Sequence, residues 1–179
     1  CTRRRRAAIP TSTRTAMRVA HLVLLASSAL LLVGCNGSNE GTFDPGTYST
    51  DPATATYAAA LNVSIPSMTK TASGLYYKDL AVGTGATAAA GYTARVTYTG
   101  WLTNGAKFDT SEGRTPAYFE FLINKPEVIK GWDEGVQGMK VGGTRQLVIP
   151  PELGYGTSGS GLIPGNAILV FEIVLLQVR

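Results

Sequence analysis

Between Thr71 and Arg179 short apolar runs alternate with glycine-bearing breaks, the texture of strands joined by turns. The clearest run is Tyr92 to Leu102. Ala94, Val96 and Tyr98 fall on one side, with Arg95, Thr97 and Thr99 on the other. A two-residue period of this kind marks an antiparallel strand with one face buried. Asn104-Gly105 comes next, and this dipeptide favours a tight hairpin turn because both residues tolerate positive φ. Ala106 to Thr110 is then the returning strand. Gly74 to Val82, Thr144 to Ile149 and Ala167 to Val178 read as three more strands. In the last of these Leu169, Phe171, Ile173 and Leu175 share a face.

One stretch breaks the period of two. Val128, Ile129, Trp132, Val136 and Met139 recur at spacings of three and four, which is helical. Gly131, Gly135 and Gly138 interrupt it, and each costs about 1 kcal/mol relative to alanine in a helix. Such a helix has to be held by packing on a sheet. The pattern predicts an α+β fold: a curved antiparallel sheet of about five strands wrapped on one short α-helix.

The part before Thr71 has another texture. Residues 19–33 form an apolar run preceded by arginines and closed by small residues, the layout of a secretory signal. At 15 residues it is short for a membrane-spanning helix, which needs roughly 20. It ends Leu32-Val33-Gly34-Cys35, which resembles the bacterial lipoprotein box. That resemblance implies cleavage before Cys35, lipidation of its thiol, and a lipoprotein anchored to a membrane and facing the periplasm, on the inner or the outer membrane. An uncleaved anchor and a buried core helix are the alternatives. Met17 opens a complete short signal by itself, so 1–16 read as an upstream mis-start or as part of the leader. Residues 35–70 are rich in Gly, Ser, Thr, Asn, Ala and Pro and read as a flexible tether, with a helical turn or two over 53–61. The domains expected are therefore a signal over 1–34, a lipidated tether over 35–70 and a folded unit over 71–179. The tether has no heptads, so no coiled coil pairs two copies and a monomer is expected.

Charge and composition narrow the function. The chain carries +4 overall, but six of its sixteen basic residues lie in the first eighteen positions and all twelve acidic residues follow Cys35. Ten basic against twelve acidic groups leave a net of −2 beyond Cys35, so nucleic acid is not an expected partner. The cysteines are Cys1 and Cys35, and the one histidine is His21. Beyond position 35 there is then no Cys or His for a zinc site and no histidine-assisted nucleophile. An enzyme built from that body works without a metal of this type and without a Ser-His or Cys-His couple.

Five stretches carry a resemblance. Val96-Thr97-Tyr98-Thr99-Gly100 is followed by Asn104-Gly105 and Lys107-Phe108-Asp109-Thr110-Ser111. Next come Val128 to Val136 with Met139-Lys140-Val141-Gly142, then Ile149-Pro150-Pro151-Glu152-Leu153-Gly154-Tyr155-Gly156, then Ile163-Pro164-Gly165-Asn166. Leu169-Val170-Phe171-Glu172-Ile173 to Leu176 closes the set. In this order and spacing the chain resembles the FKBP-type peptidyl-prolyl cis–trans isomerases. The resemblance implies the FKBP-like fold and a deep aromatic pocket, with Tyr98, Phe108, Asp109, Trp132, Tyr155 and Phe171 as catalytic candidates and Phe119, Val128, Ile129 and Ile163 as substrate-binding candidates. Trp132 would be its floor. The Ile129 backbone N–H and the Tyr155 hydroxyl would hold ligand carbonyls. The implied partners are proline-containing polypeptides and macrolide inhibitors, with no cofactor and no metal. The implied activity is isomerisation of X–Pro bonds in exported proteins, with a holdase that binds proline segments without turnover as the alternative.

Taken singly, each residue has a plainer reading. Trp132, Phe119 and Phe171 would be core, Tyr98 and Tyr155 hydrogen-bonded structural tyrosines, and Asp109 the partner of a base such as Arg114. Gly154, Gly156, Gly159 and Gly161 are loop glycines and no phosphate cradle, since no Lys-Ser/Thr follows. In the turn Leu122-Ile123-Asn124, asparagine stands where the family often has glycine and is expected to take positive φ. The loop Thr157 to Gly161 is slightly short.

Overall fold

A computed structural model describes residues 49–179; the apolar leader and Cys35 lie outside the described residues. The strands are β1 (Thr69–Lys70), β2 (Tyr76–Ala81), β3 (Thr93–Leu102), β4 (Lys107–Thr110), β5 (Phe119–Leu122), β6 (Thr144–Ile149) and β7 (Leu169–Val178), and the helix is α1 (Lys130–Val136). They form one antiparallel sheet in the order β1-β2-β6-β7-β3-β4, with β5 also on β3. The five strands read from the pattern are all present. β5 adds a short run paired with the first half of β3, and β1 is too short to leave any pattern. The hairpin forms, but only Gly105 of the pair takes positive φ, at +88°, while the Asn104 side chain accepts the Ala106 N–H at 2.9 Å.

Two faces organise the molecule. On one, Ala94, Val96 and Tyr98 of β3 meet Leu169, Phe171, Ile173 and Leu175 of β7, with Leu147, Ile149, Trp132 and Val136 in the same core. The glycines that weaken α1 in isolation let it approach β6. A Cβ on Gly131 would lie 2.5 Å from Ile149 Cγ2, and one on Gly135 would lie 2.6 Å from Leu147 Cδ1. Arg145 of β6 secures the other end of the helix. Its guanidinium donates to the Gly135 and Gln137 carbonyls at 3.0 and 3.1 Å and grips Asp79 at 2.7 and 3.1 Å. A cation on carbonyls that the helix leaves unpaired meets both their hydrogen-bond need and the negative end of the dipole.

The other face corrects the reading of 35–70 as a tether, at least from Ser49 onward. Leu61 is buried with Tyr76, Val148, Ile168 and Val170, and Tyr57, Val63, Ile65 and Met68 pack around them. Short 3-10 turns over Ala59–Leu61 and Ile65–Ser67 lay the chain across the sheet. Polar ties fix it: Gln146 Nε2 donates to Leu61 O at 2.8 Å, and Ala58 N–H to Thr103 O at 2.8 Å. The segment has no helical or strand period because it is neither. Its few apolar side chains dock one by one, which is enough to offset the ordering entropy that its composition suggests it could not meet. The same cover explains why Ile168 to Phe171 and Leu147 to Ile149 are buried on both faces.

Candidate active site: an aromatic pocket

The pocket opens between the sheet and α1. Trp132 sits at its base, 4% exposed, with rings at steep angles around it. Tyr98 is 4.8 Å away at 80°, Phe171 5.3 Å at 85° and Phe119 6.1 Å at 78°. Phe108 of β4 leans on Phe171 at 5.4 Å and 87°. These are the edge-to-face arrangements that aromatic quadrupoles favour. The cavity is about 260 Å³, and its lining brings together Tyr98, Phe108, Asp109, Phe119, Val128, Ile129, Trp132, Tyr155 and Phe171. Nine of the ten pocket residues expected from sequence therefore line one cavity. Ile163 does not; it is buried in the adjoining core, so it supports the pocket and does not face into it. Phe121 is core, as read from sequence.

Local sequence explains the arrangement. Tyr98 lies on the inward side of β3, and Phe108 and Asp109 arrive from β4 across the hairpin. Gly100 makes room for the rings: a Cβ there would stand 2.6 Å from Phe171 Cε1 and 2.7 Å from Phe108 Cζ. Ser111, almost fully buried, anchors the Tyr98 backbone on both sides. Its Oγ accepts the Tyr98 N–H at 2.9 Å, and its own N–H donates to Tyr98 O at 3.0 Å. Asn124 takes φ +63°, as the turn before Val128 requires. Of the signals missed from sequence, Gly100 and Ser111 lie within the stretches that carry the resemblance but have no chemistry to draw notice. Glu127, which also lines the cavity, reads as an ordinary surface acid.

Polar groups sit on one side of the rings. Tyr98 donates its hydroxyl to Asp109 Oδ2 at 2.8 Å. Asp109 Oδ1 accepts the Thr110 N–H at 2.8 Å and is paired with Arg114, which also lines the cavity. Both Asp109 oxygens are engaged, so the group orients Tyr98 and is poorly placed to carry a proton to a substrate. Burial, followed by the hydrogen bond to Asp109 and its charge, pushes the Tyr98 phenol up to about 12. Burial, followed by the Asp109 charge, raises that of Tyr155. Both phenols are therefore neutral donors at physiological pH. Among the described residues the Tyr155 hydroxyl and the Ile129 backbone N–H have no hydrogen-bond partner. The Trp132 indole N–H has none either and is fully buried. The site thus offers an aromatic-walled slot edged by Asp109, Arg114 and Glu127 with free donors beside them, and no nucleophile set against a base.

Comparison with known proteins places this geometry among relatives. The family model for FKBP-type peptidyl-prolyl cis-trans isomerase matches residues 85–176. The chain is 50% identical over 106 residues to the FK506-binding protein of Neisseria meningitidis serogroup B, covering 59% of this chain and 96% of that protein. Among solved structures, FkpA from Escherichia coli superposes with a TM-score of 0.58 at 38% identity, over 63% of this chain and 52% of that one. A peptidyl-prolyl cis-trans isomerase from Pseudomonas syringae pv. tomato gives 0.58 at 34% identity, over 68% of this chain and 86% of that one.

Proposed function

This chain belongs to the FKBP-type peptidyl-prolyl cis–trans isomerase family, and from that premise we propose that it isomerises X–Pro bonds by taking the proline into the aromatic pocket over Trp132. The observation that carries the reading is the convergence of Tyr98, Phe108, Phe119, Trp132 and Phe171 on one cavity, with unpartnered donors at Ile129 and Tyr155.

The chemistry asks little else. Amide resonance sets a rotation barrier of about 18–20 kcal/mol, and uncatalysed X–Pro exchange takes on the order of tens to hundreds of seconds. The planar amide is more dipolar than its twisted transition state. Water stabilises the planar form more, so an apolar slot that excludes water favours twisting. The Ile129 N–H and the Tyr155 hydroxyl hold flanking carbonyls while the C–N bond turns. Tyr98, held by Asp109, supplies an oriented polar edge. No bond to carbon breaks and no proton moves. Lowering the barrier by about 4 kcal/mol accelerates exchange roughly a thousandfold.

The reading extends to place and partners. The substrates are proline-containing segments of exported proteins, macrolides compete for the same slot, and the enzyme acts as a monomer held at a membrane surface through acylated Cys35. The support for that location is the pattern Val19 to Cys35. Mass analysis of the mature protein tests it: an acylated Cys35 at the N-terminus is expected, and an unmodified chain retaining 19–34 overturns it. For catalysis, the full chain is assayed with a proline peptide. Rates above background that fall with Phe108→Ala and with added macrolide are expected, and an uncatalysed rate overturns the proposal.

A further inference from the structure

The lip of the pocket is a short turn between β5 and α1, and its backbone is tied down by two carboxylates. β5 is hydrogen-bonded to β3 on one edge only. Successive backbone groups of a strand point to opposite edges. Ile123 N–H goes toward β3, to Tyr92 O at 2.9 Å, so Leu122 N–H points to the open side. There Glu127 Oε2 accepts it at 2.9 Å. Two residues on, in the positive-φ turn, Asn124 N–H is accepted by Asp133 Oδ1 at 2.8 Å. Asp133 lies on α1 next to Trp132. One carboxylate closes the turn on the strand, and the other closes it on the helix.

We propose that Glu127 and Asp133 are positioning residues, which set the lip formed by Val128 and Ile129 by accepting the Leu122 and Asn124 N–H groups. The inference rests on the pocket reading above, because it concerns how that pocket's rim is held. Each pair joins elements that carry pocket walls: Phe119 on β5, Val128 and Ile129 on the turn, and Trp132 on α1. If the turn shifts, Ile129 N–H moves relative to the floor, and a substrate carbonyl held there binds less well in the ground and the transition state alike. The two ties serve one segment, so their effects are coupled.

Asp133 is costly to keep as a carboxylate. Burial raises its pKa, the Asn124 N–H opposes this, and the Glu127 charge adds to it. A carboxyl whose folded pKa is raised favours folding most at low pH and loses that contribution as pH rises through the folded value. Asp133→Asn keeps an acceptor oxygen without the charge, so its stability at neutral pH is expected to equal or exceed that of the unaltered chain. A role in stability alone does not require an ion there.

The experiment measures isomerisation by the full chain with Glu127→Ala, Asp133→Ala, the double variant and Asp133→Asn. Each alanine variant is expected to raise KM about threefold to tenfold. Turnover is expected to stay within about twofold, since the lip holds ground and transition states alike. The double variant is expected to lose less than the product of the singles, and Asp133→Asn to regain most of the loss. Unchanged KM in the alanine variants, or an asparagine variant as impaired as alanine, overturns the proposal. Amide exchange in the unaltered protein keeps the test alive if the alanine variants do not fold. Leu122 and Asn124 amides protected from exchange are expected, and exchange at open-chain rates overturns it. Failure of the pocket reading itself looks different, because Phe108→Ala then retains full activity while both amides stay protected.

Discussion

The two faces of the sheet bury apolar surface to different ends. On the face toward α1, aromatic rings stand edge to face and leave a cavity of about 260 Å³. On the opposite face, the segment from Ser49 to Met68 lays Leu61, Val63, Ile65 and Met68 over Val148, Ile168 and Val170. The rings of Tyr98, Phe108, Phe119 and Phe171 stand around Trp132 without closing over it, so one face retains a slot. A chain without regular structure can adapt to any surface, so the other is covered. The proposed function uses the face where packing is incomplete, and stability leans on the face that looks least structured in sequence.

That contrast can be broken from either side. Removing residues before Thr71 strips the cover from the second face and leaves Val148, Ile168 and Val170 bare. The loss is expected to exceed that of any single change and to unfold the domain or bring it to aggregation, as read by thermal unfolding. Leu61→Ala makes the smaller version of this cut. It is expected to cost about 2–4 kcal/mol while kcat/KM of the folded fraction stays within about twofold. Phe108→Ala reverses the pattern. Phe108 is half-buried at the pocket wall, and a fall in kcat/KM of about a hundredfold, equivalent to roughly 2.7 kcal/mol, is expected with a smaller loss of stability. Equal loss of activity from Leu61→Ala and Phe108→Ala would dissolve the distinction between the faces.

A finer test uses pH. Tyr98 titrates near 12 because burial and its bond to Asp109 favour the neutral phenol. An ordinary tyrosine ionises near 10. A raised folded pKa favours folding fully below the unfolded value, and that contribution is lost as pH rises from about 10 to about 12. The rate is therefore expected to be flat around neutrality, with no bell, since no proton is transferred. Spectroscopic titration is expected to show a tyrosine ionising near 12 that is lost in Tyr98→Phe, while Tyr57, raised further by burial, remains as a later one. A bell-shaped profile near neutrality would contradict catalysis without proton transfer.

Much of this was legible in sequence, for reasons that differ between the faces. β3 is long and alternates cleanly, and β7 is long with Leu169, Phe171, Ile173 and Leu175 on one side, so their inward residues could be read directly. Trp132 and Val136 kept a helical spacing despite three glycines. The pocket residues came from the resemblance, and nine of ten meet at one cavity. Ile163 is the exception: the loop that carries it turns its side chain into the core. What periodicity could not reveal was the cover over 49–68, whose apolar residues dock singly. Nor could it reveal contacts made at long range. Arg145 reads as a surface strand position, yet it spans from Asp79 to the end of α1. The ties from Glu127 and Asp133 to backbone N–H groups depend on turn geometry that composition does not encode.

The central claim is that the aromatic face catalyses rotation about X–Pro bonds without covalent chemistry. The most direct measurement is cis–trans exchange of a proline peptide, followed by NMR, with catalytic amounts of the full chain and of its Phe108→Ala and Leu61→Ala variants. The expected result is fast exchange with the unaltered chain and with folded Leu61→Ala, and near-background exchange with Phe108→Ala. Background exchange with the unaltered chain, or undiminished exchange with Phe108→Ala, would contradict it.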